Sequence, residues 1–168
     1  MKTFIKPFAY AVAAFALLTS TLASAQTDSK ATRLGIGVSL GVPNNDFNFA
    51  LGGDLRLQQD FSSNVSGLLS VGYTSFFPDD SNVDNFGVIP LKAGLKVFPT
   101  NSLYISGEAG AGFGTNEGAG TSFVWSPGVG YAFNNGLDLS LRYEGFTKDG
   151  STLGQTALRI AYGFRLGK

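Results

Sequence analysis

Side chains capable of acid–base, nucleophilic or metal chemistry are scarce in this chain of 168 residues, which contains neither histidine nor cysteine. Disulfides, zinc ribbons, haem ligation and every Ser-His or Cys-His nucleophile arrangement are therefore excluded. A metal site would have to consist of carboxylate and carbonyl oxygens alone. Carboxylate pairs such as Asp138 and Glu144 could still act as acid and base, but Arg142 shares their face of a predicted strand, which favours ionised structural pairs. We therefore predict no enzymatic activity, no cofactor and no metal site.

The composition limits which kinds of fold can position these side chains. Only 14% of the residues are charged, 23 are glycine, and the formal net charge is zero. The charged fraction is well below the usual quarter and glycine is about twice its usual share. Without a basic surface, nucleic acid is not an expected partner.

Residues 1–25 have the features of a cleavable signal peptide. Two lysines precede an uncharged apolar run, residues 8–18, which is too short to span a bilayer as a helix. Ala23-Ser24-Ala25 supplies the small residues of a cleavage site, so cleavage is expected after Ala25. An uncleaved membrane anchor is the alternative. The predicted organisation is a signal peptide, residues 1–25, followed by one exported domain, residues 26–168.

From Leu34 onward the dominant hydrophobic period is two, which predicts β-strands with one apolar face. Eight segments of about ten residues alternate in this way, joined by turn signals such as Asn134-Asn-Gly136. The predicted strands cover residues 33–42, 48–58, 65–77, 87–98, 103–114, 122–133, 137–146 and 156–166. Pro90 and Pro127 lie inside two of them and remove hydrogen-bond donors, so we expect a bulge or a strand boundary at each.

The positions of the charged residues test the assignment of an apolar and a polar face to each strand. The test is independent, because the faces are assigned from the apolar residues alone. All of the strand charges fall opposite the apolar face: Arg33, Asp54, Arg56, Lys92, Lys96, Glu108, Asp138, Arg142, Glu144, Arg159 and Arg165. A soluble barrel would turn the apolar face inward, whereas a membrane barrel turns it toward lipid.

Three features favour the membrane barrel. The polar face is rich in glycine, serine and alanine, which suits a narrow interior, and the charges are few for a soluble surface. Aromatic residues cluster near segment ends, as interfacial girdles do: Phe49, Tyr73, Phe76, Phe77, Phe86, Phe98, Phe113, Phe123, Trp125, Tyr131, Phe133, Tyr143, Phe146 and Phe164. We predict an all-β, eight-stranded, antiparallel up-and-down transmembrane barrel.

The interior of an eight-stranded barrel is just wide enough to be filled by side chains. Unpaired buried charges are costly, so we expect one connected interior network. Its predicted members are Asp54, Arg56, Lys92, Lys96, Glu108, Asp138, Arg142, Glu144, Arg159 and Arg165. The excess of cations leaves three interpretations open: a polar plug, a narrow anion-preferring channel, or a small-ligand pocket.

With both termini on the periplasmic side, turns at residues 59–64, 99–102 and 134–136 would be periplasmic. The connections at residues 43–47, 78–85, 115–121 and 147–153 would face outward. These outer loops carry six acidic residues against Lys148: Asp46, Asp79, Asp80, Asp84, Glu117 and Asp149. Solvated acidic loops are the favoured interpretation; weak divalent-cation binding beside lipopolysaccharide phosphates is the alternative.

Three stretches resemble a known family: Ile89-Pro-Leu-Lys-Ala-Gly-Leu-Lys-Val-Phe98, Gly107-Glu-Ala-Gly-Ala-Gly-Phe113 and Ser126-Pro-Gly-Val-Gly-Tyr-Ala-Phe133. They are similar to strands of the OmpA- and OmpX-like bacterial outer-membrane β-barrel domain family, common in Bacteroidetes-type genomes. The resemblance implies an outer-membrane barrel, inserted by the barrel assembly machinery, without catalytic residues. Family members usually end on an aromatic residue, whereas here Gly167-Lys168 follow the last alternating residues.

Taken together, the sequence predicts a non-enzymatic integral outer-membrane barrel with a structural or surface-contact role in the cell envelope. The alternatives are a narrow pore for ions or small solutes and a soluble periplasmic barrel that binds a small ligand. The expected partners are outer-membrane lipids and lipopolysaccharide, with the barrel assembly machinery during insertion. The protein is expected to be a monomer.

Overall fold

The computed structural model describes residues 31–44, 47–80 and 84–166. The predicted signal peptide, its cleavage site after Ala25, the loop residue Asp46 and the final Gly167-Lys168 lie outside the described residues. Within these ranges, no helix is long and apolar enough to cross a membrane.

Two-residue alternation produces eight antiparallel strands that close into a barrel in chain order. β1 and β8 complete the closure in a continuous register from Thr32↔Leu166 to Pro43↔Gln155. The predicted fold is thereby confirmed. The strands are β1 Thr32–Pro43, β2 Phe47–Asp60, β3 Val65–Pro78, β4 Phe86–Val97, β5 Leu103–Gly114, β6 Thr121–Ala132, β7 Leu137–Lys148 and β8 Ser151–Leu166.

The two ends of the barrel differ, and we name them by their connections. The turn end carries the start of β1, the end of β8 and the connections at residues 61–64, 98–102 and 133–136. The loop end carries the other four connections. One of these is shorter than predicted, because β7 and β8 extend to Asp149-Gly150, where both residues have positive φ (49° and 80°). This geometry matches the right-handed twist of a two-residue hairpin.

The apolar face of the barrel points outward. Ile36, Val38 and Leu40 on β1 are 52%, 62% and 57% exposed, while the alternate positions face the interior. A soluble barrel would bury these side chains, so that alternative is wrong.

Outward aromatic residues gather toward both rims, as the girdle prediction requires. Phe49 stacks on Phe77 near the loop end at 4.5 Å between ring centroids, and Tyr131 lies 4.7 Å from Phe133 near the turn end. The prediction is wrong for Phe76, Phe86 and Phe146, which lie inside the barrel, where the ring of Phe76 contacts the other two.

Pro90 and Pro127 do not cause the bulge or strand boundary that the sequence predicted. β4 and β6 run through them without a change of register. Pairing with one neighbour lapses beside each proline, from Val71↔Leu91 to Thr74↔Val88 for Pro90, while pairing with β5 continues. The reason is that a strand residue donates its N–H to only one of its two neighbouring strands, so a proline interrupts pairing on that side alone.

Candidate functional site: the barrel interior

Glycines on the inner faces of the strands leave room for long charged side chains. A Cβ atom added at Gly37 would lie 2.6 Å from Nη2 of Arg159, well below a normal carbon contact. One added at Gly94 would first meet the carbonyl oxygen of Gly107 on the neighbouring strand and then Cα and Cγ of Glu108. The missing side chain at Gly37 thus makes room for a charged side chain that crosses the interior, and that at Gly94 chiefly for the close approach of the next strand.

Asp54 on β2 is a hub for arginines from two other strands. Arg159 on β8 donates from Nε to Oδ1 at 2.8 Å and from Nη2 to Oδ2 at 2.5 Å. Arg142 on β7 brings its Nη2 to 3.8 Å from Oδ1 of the same carboxylate. Paired N–H donors of a guanidinium match the two carboxylate oxygens, which makes the Arg159 contact the better-directed of the two.

Glu108 on β5 binds two donors from the far side of the barrel. Arg56 Nη2 donates to Oε1 at 2.6 Å, and the Ser70 hydroxyl donates to Oε2 at 2.7 Å. The two charged side chains are almost completely buried. Since β2 and β5 are not neighbours, this ion pair crosses the interior.

Glu144 on β7 is fully buried and forms an ion pair with Lys92 on β4. Its second oxygen accepts a hydrogen bond from Gln155 Nε2 at 3.0 Å. Both carboxylate oxygens are thus paired, as a buried charge requires.

Asp138 is the carboxylate nearest the turn end among the predicted network members. It accepts hydrogen bonds from Lys96 Nζ at 2.8 Å and from the Tyr104 hydroxyl at 2.6 Å. The Lys96 ammonium also lies 3.9 Å from the centroid of the Tyr104 ring, within cation–π range. Arg159 Nη1, 3.7 Å from Asp138 Oδ1, links this group to the Asp54 hub.

Nine of the ten predicted network residues therefore meet in the interior, and Arg165 does not join them. It is exposed at the turn end and forms no ion pair with any residue that the structure describes. Its position near the end of β8, opposite Arg33 in the register, places it beyond reach of the carboxylates deeper in the barrel.

Sequence reasoning missed several polar partners of this network. Tyr104, Ser70 and Gln155 each hydrogen-bond a network carboxylate, and Asp60 binds Arg33 at 2.9 Å. The signal that could have found them is strand parity, because each of these side chains falls on the same face as the charges.

The two halves of the interior have opposite character. Toward the loop end, a buried apolar cluster fills the barrel, with Phe47, Phe86 and Leu153 packed against it: Ala50, Phe76, Val88, Val124 and Phe146. Toward the turn end lies a solvent-accessible cavity of about 660 Å³, lined by polar and charged side chains such as Arg56 and Asp138. The ion pairs lie between the two regions.

The candidate acid–base pair is divided between separate ion pairs. Asp138 is held by Lys96 and Tyr104, whereas Glu144 is held by Lys92 and Gln155. Among the described residues, no group of three or more acidic side chains is arranged to hold a metal ion.

Residues 13–165 match the family described as the outer membrane protein beta-barrel domain. The chain belongs to this family. Its location in the outer membrane follows, in agreement with the sequence prediction. No curated protein matches the sequence.

Solved structures to which this chain is similar include small outer-membrane barrels. The crystal structure of Ail, the attachment invasion locus protein of Yersinia pestis, is 19% identical with a TM-score of 0.60, and the match covers 82% of this chain and 100% of that one. The N-terminal β-barrel domain of Pseudomonas aeruginosa OprF is 15% identical (TM-score 0.60; 81% and 100% covered). The outer membrane enzyme PagL is 16% identical (TM-score 0.56; 76% and 98% covered). At these identities the likeness establishes the fold.

Proposed function

We propose that this family member is a non-enzymatic barrel with a structural and surface-contact role in the cell envelope. The observation that carries the proposal is the blocked interior, in which an apolar cluster and a layer of buried ion pairs lie in series along the axis beyond the turn-end cavity. Surfaces available for contact are then the lipid-facing belt and the loop end. The name of Ail, an attachment protein, is consistent with such a role.

The contact role is tested with cells that lack the protein. Re-expression of the wild type should restore resistance to detergent and any lost adhesion to host cells or surfaces. Neutralising the loop end with Asp84→Asn and Glu117→Gln should reduce adhesion but keep detergent resistance. The matched control, Ser63→Ala with Asn101→Ala at the turn end, should change neither. Adhesion that is equal for all variants would contradict surface contact through the loops.

A pore is the main alternative, and the closed interior argues against it. The purified protein in a planar bilayer should give no stepwise ion conductance, whereas a general porin in the same bilayer provides the positive control. Reproducible unitary steps from the wild type, lost on boiling, would replace the plug interpretation with a channel.

The absence of enzymatic activity is proposed because Asp138 and Glu144, the candidate acid and base, are held in two separate ion pairs. PagL is an enzyme on the same fold, so the fold alone does not decide the matter. Pure protein should hydrolyse neither lipid nor peptide. Hydrolysis abolished by Asp138→Asn or Glu144→Gln would overturn this part.

Partners and processing complete the proposal. We infer that the barrel is a monomer surrounded by outer-membrane lipids and lipopolysaccharide, inserted by the barrel assembly machinery, without nucleic-acid binding. Residues 1–25 are proposed to be removed on export. N-terminal sequencing of the membrane-purified protein should begin at Gln26, and a sequence that begins at Met1 would favour an uncleaved anchor.

A further inference from the structure

The cavity at the turn end has the size of a ligand site. Its volume of about 660 Å³ lies within the range of small-molecule pockets. It is closed in the direction of the loop end by the ion pairs and the apolar cluster, so that it is a blind vestibule and not part of a passage. The envelope role proposed above does not require it to be occupied.

Positive charge prevails in this vestibule. Apart from Lys148 at the loop end of β7, the charges on the inner faces of the described strands are Arg33, Arg56, Lys92, Lys96, Arg142, Arg159 and Arg165 against Asp54, Asp60, Glu108, Asp138 and Glu144, an excess of two cations. Five of the cations line the vestibule with only two of the carboxylates, Asp60 and Asp138. Four of these cations form ion pairs, Arg33 with Asp60, Lys96 with Asp138, Arg56 with Glu108 and Arg159 with Asp54, so Arg165 is the lining cation without an ion pair to a described residue.

Two arginines at the mouth occupy paired positions on neighbouring strands. Arg33 and Arg165 are partners in the register of β1 and β8. Like charges directly opposite in an antiparallel pair repel each other. Arg33 is compensated by Asp60 on its other side, whereas Arg165 has no ion pair with a described residue. An anion between the two guanidinium groups would relieve the repulsion.

A deeper arginine has an unused donor. Arg56 lines the vestibule and is only 5% exposed. Its Nη2 atom binds Glu108, but its buried Nε has no hydrogen-bond partner. That Nε is out of contact with solvent, so Arg56 would act on an anion in the vestibule through its positive charge and not through this donor.

We propose that the vestibule binds a small water-soluble dianion of the phosphate class, held by Arg33 and Arg165 at the mouth and by Arg56 further in. Arginine forks match the oxygens of phosphate in pairs. A phosphate monoester carries a charge of about −1.5 to −2 at pH 7, which equals the cation excess. Because the vestibule lies inside the barrel, the ligand comes from the aqueous side and not from the bilayer.

The test is calorimetric titration of the full-length folded protein in uncharged detergent with inorganic phosphate, with chloride as the comparison anion. We expect saturable phosphate binding that is at least about tenfold weaker in Arg165→Gln and in Arg33→Gln. Lys148→Gln, which removes one cation at the loop end, should bind like the wild type. The altered gel mobility of unboiled samples confirms that each variant is folded.

Three results would overturn the proposal: no saturable binding of phosphate, equal binding of chloride, or equal weakening in Lys148→Gln. The last two would indicate only a general attraction of anions to positive charge. Failure here leaves the envelope role untouched, since conductance and adhesion are measured independently of phosphate.

Discussion

At the scale of single residues, the buried ion pairs tie strands that are not neighbours. Arg56 joins β2 to β5, and Lys92 joins β4 to β7, so each pair spans the interior. A buried ion pair does not by itself add stability relative to apolar packing, but loss of one partner leaves an uncompensated charge. An arrangement of strands that separated these partners would therefore be disfavoured.

Removal of one charge from such a pair should be strongly destabilising. In Glu144→Gln the Lys92 ammonium stays buried without a carboxylate, and we expect a loss of about 3–5 kcal/mol in the free energy of unfolding. Urea titration of the protein in lipid vesicles measures it. Replacing both residues, as Lys92→Met with Glu144→Leu, should recover much of the loss because no charge is stranded.

The matched control is Arg33→Gln, which breaks the pair with Asp60. The Arg33 side chain is 33% exposed, so water replaces the lost partner and the change should stay below about 1 kcal/mol. Similar losses for Glu144→Gln and Arg33→Gln would mean that burial does not govern the strength of these pairs.

At the scale of elements, the inner face of β1 must carry small residues because the side chain of Arg159 lies across it. Gly37→Ala should force the Arg159 guanidinium from its place and weaken its bond to Asp54, at a cost of about 1–3 kcal/mol. Gly35→Ala is the control on the same face of the same strand, where the added Cβ would be no closer than 3.6 Å to its neighbours. Unfolding midpoints that fall equally for both would contradict the steric explanation.

In the β7–β8 hairpin, the effect of backbone conformation on stability can be measured separately from side-chain packing. Gly150 has a φ of 80° and an added Cβ would meet nothing within 4 Å, so Gly150→Ala acts through the backbone alone. We expect a loss of about 1–2 kcal/mol. Asp149→Asn, at a φ of 49°, should be nearly neutral because asparagine tolerates this region. A Gly150→Ala variant as stable as the wild type would show that the hairpin relaxes to another turn.

The strands could be predicted from the sequence because period-two alternation and charge parity are independent and agree. The ion-pair partners could not, because they depend on the tilt and stagger that set the height of each strand. Arg56, for example, meets Glu108 three strands away. Phe76 was assigned to the outer girdle together with Phe77, because both are aromatic and adjacent in the sequence. Phe76 is two residues from the inward-facing Thr74, and this spacing would have placed it on the inner face.

At the scale of the whole molecule, closure leaves no free strand edge from which the barrel could unzip. Unboiled samples from isolated outer membranes should migrate differently from boiled samples in electrophoresis, because the closed barrel resists cold detergent. Identical migration, with the protein recovered in the soluble periplasm, would contradict a membrane barrel.

Divalent cations provide a second test at this scale. The acidic loop residues in the described ranges form no group suited to a metal, so calcium should leave the thermal midpoint of the folded protein unchanged. A midpoint that rises with calcium and returns with a chelator would restore the cation-binding interpretation of the loops.

The opposite charge at its two ends gives the described part of the barrel an electric dipole along the membrane normal. The described loop-end carboxylates are Asp79, Asp80, Asp84, Glu117 and Asp149, accompanied by Lys148, while the positive excess lies toward the turn end. Moving one unit charge across a bilayer changes its free energy by about 2.3 kcal/mol for each 100 mV of transmembrane voltage. Insertion under an applied voltage should therefore favour one orientation of the barrel over its reverse, and the sign of that voltage selects which.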